Sequence, residues 1–278
     1  LPAGKATNSA PRRLKLLTGL PGSGKSSVAR RMMAEDDSLV NVSVDDFYQY
    51  HPHMYELHQM QPVRLNDRHG SCYSDNMYLY DFVEEAFFEV TDRLKKEGYG
   101  IIIDGLLNEE MIDFVKETQA QGYQADVTVL VAPKRILDCN VVERYLDRRD
   151  LINRAALGKV VLDKNQQVQH PMAELRKSAA ELVAFRRDLK NVEAQGLALT
   201  VHNALSGRTL YRSGDARKAD EAYFAEFGRD LTPQERVSLK VRQRNLEKRL
   251  TAAPSSRYEK AIVSSLDTPY KMPDIREL

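Results

Sequence analysis

The chain has 278 residues, enough for one large domain or one domain with an appendage, with ample length to bury a full core. Lys plus Arg number 41 against 40 Asp plus Glu, a balance that argues against a nucleic-acid binder working through bulk charge. At 42% hydrophobic and 29% charged the composition is that of a soluble globular protein, and no run of about 18 apolar residues is present to span a membrane. The two cysteines, Cys72 and Cys139, stand far apart and form no CxxC, as expected of reduced thiols in a cytoplasmic protein. The six histidines show no HExxH and no Cys/His spacing for zinc.

The opening "LPAGKATNSAP" lacks the apolar core of a signal peptide, and residues 1–12 read as a tail outside the fold. The first strand is expected over Leu14–Thr18 and the first helix over Lys25–Glu35. A second strand follows at Leu39–Asp46. Asp81–Glu97 carries Phe82, Ala86, Val90 and Leu94 at i, i+4 spacing, an apolar helical stripe. Tyr99–Gly105 predicts a third strand, and Glu109–Gln121 a helix closed by Gly122. Asp126–Pro133 and Gly196–Asn203 predict the fourth and fifth strands. Lys134–Arg149 and Pro171–Glu193 between them read as long charged helices. "VHNALSGRTLYRSG" reads as a hairpin turning at Ser206–Gly207.

After Gly214 the composition becomes helical, with Thr232 as an N-cap and Pro233 at the first position. The basic run Arg242, Arg244, Lys248 and Arg249 reads as a solvated helix face, and a last short helix is expected near Arg257–Leu266. Short continuous apolar runs alternating with helices imply an α/β fold with a parallel sheet covered on both faces. The expected organisation is a core over 13–214 and a C-terminal helical extension over 215–278.

Gly19, Gly24, Lys25 and Ser26 fit G-x-x-x-x-G-K-[ST], between an apolar strand and a helix. Glycines there let backbone N–H groups turn onto a phosphate, and the helix adds the positive end of its dipole. Nucleotide phosphates are expected on Gly19 and on the run Gly22, Ser23, Gly24, Lys25, Ser26 and Ser27. Lys25 would reach the β/γ oxygens and Ser26 would ligate Mg²⁺.

No N-K-x-D motif for reading a guanine base is present, which argues against a switch GTPase. The third strand ends in "IIIDGLL", one acid followed by glycine, unlike a motor ATPase. Asp45 and Asp46 close the second predicted strand, and Asp104 the third. Ligands of open parallel sheets sit beyond the carboxyl ends of strands, so these acids should approach the γ-phosphate. That is the arrangement of a small-molecule kinase: one carboxylate takes the acceptor proton, another holds Mg²⁺ or its water, and lid cations cover the phosphates. Arg144, Arg148, Arg149, Arg154 and Lys159 follow the fourth strand as lid candidates.

"GLPGSGKSS", then "DDFYQYHP", "YS" before a helix, "IIDG" and "VAPK…ERY", in this order, resemble the zeta toxin family of bacterial toxin–antitoxin systems. "GRTLYRSGD" and "RYEKAIVSSL" have counterparts there too. The resemblance implies a P-loop kinase that uses ATP or GTP with Mg²⁺ to phosphorylate the 3′-hydroxyl of the amino sugar in UDP-N-acetylglucosamine, diverting a cell-wall precursor. It also implies a small helical antitoxin, as a separate chain or a removed N-terminal segment.

Carried over by position, the catalytic acid falls on Asp45, the P-loop lysine on Lys25 and the lid arginine on Arg144. The strand-closing acid, glutamate in well-known members, is Asp104, a Mg²⁺ ligand with Ser26. The second lid cation falls on Arg154 or Lys159. Asp45, Asp46, Tyr73, Ser74, Asp104 and Asn108 are the residues expected to face the sugar nucleotide. Where the family commonly shows Thr-x-Arg, this chain has Leu106, Leu107 and Asn108, and the family's helical acid falls among Glu84, Glu85 and Glu89. Two other readings stand beside this one: a P-loop kinase of another hydroxyl, such as an antibiotic, a nucleoside or a nucleic-acid 5′ end, and a nucleotide-dependent binding module.

Overall fold

The structure, a computed structural model, describes residues 12–53, 77–161, 179–252, 257–266 and 268. Strand β1 (Arg13–Thr18) lies in the middle of a six-stranded sheet ordered β2-β3-β1-β4-β5-β6. β2 (Leu39–Ser43), β3 (Gly100–Asp104), β4 (Gln124–Val131) and β5 (Ala198–Asn203) run parallel to it, and β6 (Thr209–Arg212) closes the edge antiparallel to β5. The order follows from composition: every residue of β3 is buried, as are Leu14, Leu16 and Leu17 of β1. Such strands need cover on both faces.

The helices supply it. α1 (Lys25–Glu35), α2 (Met77–Glu97), α3 (Glu109–Ala120), α4 (Lys134–Ala156), α5 (Ala179–Ala194) and α6 (Ala219–Phe227) alternate with or follow the strands. α7 (Pro233–Thr251) and α8 (Arg257–Ser265) end the described chain. Thr232 caps α7 through the full capping box with Glu235, with Pro233 at the first helical position, as the sequence predicts. The α/β fold with a mostly parallel sheet and C-terminal helices is thus the one read from the sequence.

Two of the boundaries that differ bear on the site. The second strand ends at Ser43, and Val44–Tyr50 winds into a 3₁₀ helix with Asp45 and Asp46 in its first turn. Acids are favoured at that position by the exposed N–H groups of a helix start. The helix after β4 does not stop at Arg149 but continues to Ala156, because no glycine or proline interrupts it before Gly158. The basic stretch from Arg144 to Arg154 is therefore helical throughout, with its arginines spread over more than one face. Only the later part of the predicted Pro171–Glu193 helix lies within the described residues.

α4 divides the core. Leu137 packs into the main sheet core, whereas Ile136, Cys139, Val142 and Leu146 face a second cluster with Leu239, Leu246 and Leu250 of α7 and Ile262 and Val263 of α8. Burial pushes the Cys139 thiol up to about 12, so it behaves as an apolar filler. Cys72 lies outside the described residues. Across this second core, buried Arg149 donates to Glu259 at 3.3 Å and to the Arg249 carbonyl at 3.4 Å. The α7 basic run is not uniformly solvated: Arg242 pairs with Glu143, and Arg249 with Asp147 and Asp150.

Glu259→Gln removes one of two carboxylates facing the buried Arg149 guanidinium, the other being Asp150 at 3.6 Å. A loss of about 2 kcal/mol is expected, read as a lower urea midpoint at unchanged slope. A loss under about 0.5 kcal/mol would mark the pair as solvent-screened.

Candidate active site

The loop after β1 is shaped by two glycines. Gly22 has φ +82°, and a Cβ there would lie 2.6 Å from the Leu137 carbonyl oxygen of α4. Gly24, with φ +81°, starts α1 without any side-chain cap, leaving the helix N-terminus facing open space. Lys25 bends back and donates to the Gly19 carbonyl at 3.1 Å. Ser23 is buried and its hydroxyl has no hydrogen-bond partner. A glycine cradle, a helix N-terminus and an ammonium group directed along the loop make an anion site.

A cleft of about 720 Å³ opens from this loop. Gly22, Gly24, Lys25, Ser26 and Ser27 line it, as do Asp45, Asp104, Asn108 and Arg144. β1 and β3 are in register so that Leu17 faces Asp104, which brings the acid to the loop. There the Ser26 hydroxyl donates to Asp104 Oδ2 at 2.8 Å. Mg²⁺ is bound through one or two carboxylates plus substrate phosphates and waters, so a Ser26–Asp104 pair beside a phosphate cradle fits it. Among the described residues no group of three His, Cys, Asp or Glu could hold a metal ion, and this chemistry does not require one.

Asp45 is exposed on the cleft wall. Asp46 does not line the cleft but stands close to both other acids: partial desolvation, then the charges of Asp45 and Asp104, push its carboxyl above the ordinary range. Arg144 is exposed to the cleft, whereas buried Arg149 belongs to the second core. Arg154 and Lys159 are exposed and do not line the cleft. Tyr73 and Ser74 lie outside the described residues. Asn108 caps α3, its Oδ1 accepting from the Met111 N–H at 2.9 Å, so that oxygen is committed to the fold.

The sequence reading missed several cleft residues. Asn140, Glu143 and Asp147 line it with the expected Arg144 at i, i+3, i+7 and i+4, a polar helical face visible in the sequence around Arg144. Glu110 also lines it, close to Glu84, one of the three acids expected from the sequence. No local spacing could reveal that pair, because α2 and α3 are brought together only by the sheet. Leu106 is 64% exposed on the same side.

Fold and site define a P-loop, kinase-like α/β protein. The zeta toxin family profile matches residues 4–196, and the chain belongs to that family. No protein of curated function matches the sequence. Among solved structures, a chain from the PezAT chromosomal toxin–antitoxin system of Streptococcus pneumoniae is similar at 19% identity and TM-score 0.65, over 90% of both chains. A chain of the AvrRxo1-ORF1:-ORF2 complex aligns at 13% identity and TM-score 0.48, over 94% of this chain and 81% of that one. A sugar kinase from Janibacter sp. HTCC2649 aligns at 18% identity and TM-score 0.33, over 59% of this chain and 90% of that one. The first likeness shows the fold; the other two are too slight to carry an argument.

Partial desolvation, then the hydrogen bond and charge of Glu84, hold the Glu110 carboxyl above its usual range. Its stabilising contribution is complete below the ordinary glutamate value of about 4.3 and is lost as pH rises through the folded value. Glu110→Gln, neutral throughout, should therefore unfold at a higher temperature than the unaltered protein at pH 8, with the gain shrinking towards pH 4.5. An offset independent of pH would contradict the raised Glu110 carboxyl.

Proposed function

We propose that this chain transfers the γ-phosphate of ATP or GTP to a hydroxyl of a UDP-activated sugar, the 3′-hydroxyl of UDP-N-acetylglucosamine being the leading acceptor. The observation that carries the reading is one cleft with a phosphate cradle at its head and the exposed carboxylate of Asp45 on its wall. Membership of the zeta toxin family supports the acceptor class.

In this reading Lys25 and the loop amides hold the β- and γ-phosphates. Ser26 and Asp104 would hold Mg²⁺, which neutralises charge developing on the phosphate oxygens. Asp45 orients the acceptor hydroxyl in line with the γ-phosphorus. It accepts the proton late, because the transition state is loose and the attacking oxygen acidifies only as its bond to phosphorus forms. Arg144 faces the same space and offsets negative charge on the transferring group. Asp46, its carboxyl raised by partial desolvation and then by the charges of Asp45 and Asp104, stands beside the cleft as a further contact for the acceptor.

A small antitoxin, a separate chain or a removed N-terminal segment, is the proposed partner; the family and the fold shared with a toxin–antitoxin chain support it. The acceptor end also favours a second reading. Exposed Leu106 and the committed cap Asn108 stand where the family commonly offers Thr-x-Arg, and Glu84 and Glu110 line the same cleft, which suits a different hydroxyl compound.

Product mass separates the readings. With ATP, Mg²⁺ and a panel of UDP-sugars and nucleosides, one phosphate should be added to UDP-N-acetylglucosamine. Asp45→Asn should lower turnover roughly 10²–10⁴-fold, the usual worth of a positioned acid–base group. A drop of a few fold would remove Asp45 as the base. Lys25→Ala should abolish turnover with every acceptor, and persistence would displace the phosphate site from the loop.

A further inference from the structure

The family profile ends at residue 196, yet a side chain from α7 reaches the phosphate loop through one intermediary. Arg242 forms a two-pronged ion pair with Glu143, Nε to Oε1 at 2.7 Å and Nη2 to Oε2 at 2.6 Å. Its Nη2 also donates to Asn140 Oδ1 at 2.6 Å. The other end of the same carboxamide, Nδ2, donates to the Gly22 carbonyl oxygen at 2.6 Å.

The amide orientation of Asn140 is fixed by chemistry on both sides. Arginine has only donors, so it selects the oxygen, and a carbonyl only accepts, so it selects the NH₂ group. The Gly22 carbonyl is one end of the Gly22–Ser23 peptide plane. At the other end of that plane, the Ser23 N–H donates to the Leu20 carbonyl at 3.1 Å. A planar peptide held at both ends has no freedom to rotate. That plane sets the turn from which the backbone of Gly24, Lys25 and Ser26 projects into the cleft. The close approach of Gly22 to the Leu137 carbonyl presses the loop and α4 together at the same point.

We propose that Arg242 and Asn140 are positioning residues for the phosphate loop, and that the C-terminal helices, through them, set nucleotide affinity. The proposal rests on reading the loop as the nucleotide site. Arg242 does not line the cleft, and Asn140, which does, has its amide oxygen engaged by Arg242 and its amide nitrogen by the Gly22 carbonyl. Arg242 acts through Asn140, and Asn140 acts through the orientation of one peptide plane. The hydrophobic cluster between α4 and α7 supplies the rigid backing that keeps the relay in register.

The test is titration calorimetry of the full chain with Mg²⁺ and a non-hydrolysable ATP analogue. Arg242→Ala and Asn140→Ala should each weaken binding roughly tenfold, the worth of one charge-assisted hydrogen bond. The double variant should bind no more weakly than the worse single one, because the two act in series. Arg242→Lys, which keeps the charge but not the fork, should fall between. Unaltered affinity in Asn140→Ala or Arg242→Ala overturns the relay, as do penalties that add in full. Asn140→Ala and Arg242→Lys keep the test decisive if Arg242→Ala fails to fold. No binding by the unaltered protein would overturn the nucleotide-site reading and the relay together, whereas tight binding insensitive to both residues overturns the relay alone.

Discussion

Strand β1 is hydrogen-bonded to β3 on one side and β4 on the other, and the cleft hangs from that double pairing. The pairing with β3 sets Leu17 opposite Asp104, and the Gly105 N–H donates to the Leu17 carbonyl at 3.2 Å just beyond. The acid therefore meets Ser26 at the first turn of α1 without any adjustment of the loop. The pairing with β4 delivers α4 to the other side of the loop, where it presses on Gly22 and presents Arg144 to the cleft. A slip of one residue in either register would turn Asp104 or the start of α4 away from the phosphate site.

α4 is the element through which distant parts of the chain act on this site. One face meets the sheet core, one meets the helices α7 and α8, and the polar face made by Asn140, Glu143, Arg144 and Asp147 lines the cleft. In the proposed reaction Arg144 offsets transition-state charge, which works best from a rigid support, since any motion at the moment of transfer costs electrostatic stabilisation. The second core, the buried Arg149–Glu259 pair and the Arg242 clamp hold α4 in place, with Arg242, Glu259 and the apolar residues of α7 and α8 contributed from beyond the family profile.

Much of this was legible in the sequence, for identifiable reasons. Buried parallel strands announce themselves as continuous apolar runs such as Ile101–Ile103, and a phosphate loop needs its glycines, lysine and serine at fixed spacing. Local chemistry also gave the Thr232 cap. The turn of Asp45 and Asp46 into a 3₁₀ helix was not legible, since a strand followed by acids reads alike whether the chain goes straight on or winds. The length of α4 was underestimated because a charged sequence without breakers continues as helix as readily as it becomes a lid. Contacts between elements distant in sequence, Glu84 with Glu110 and Arg242 with Asn140, are made by the tertiary fold and leave no local pattern.

Under the proposed function the phosphate loop keeps the pattern that the sequence resembles while Leu106–Asn108 departs from it, so the position of the transferred phosphate is the central question. The most direct measurement is the ³¹P and ¹H NMR of a completed reaction with ATP, Mg²⁺ and UDP-N-acetylglucosamine. The account predicts loss of the γ-phosphate resonance and a new phosphomonoester coupled to the proton on carbon 3 of the amino sugar. A spectrum in which the sugar nucleotide is unchanged, with the γ-phosphate retained on ATP or released as inorganic phosphate, would contradict it.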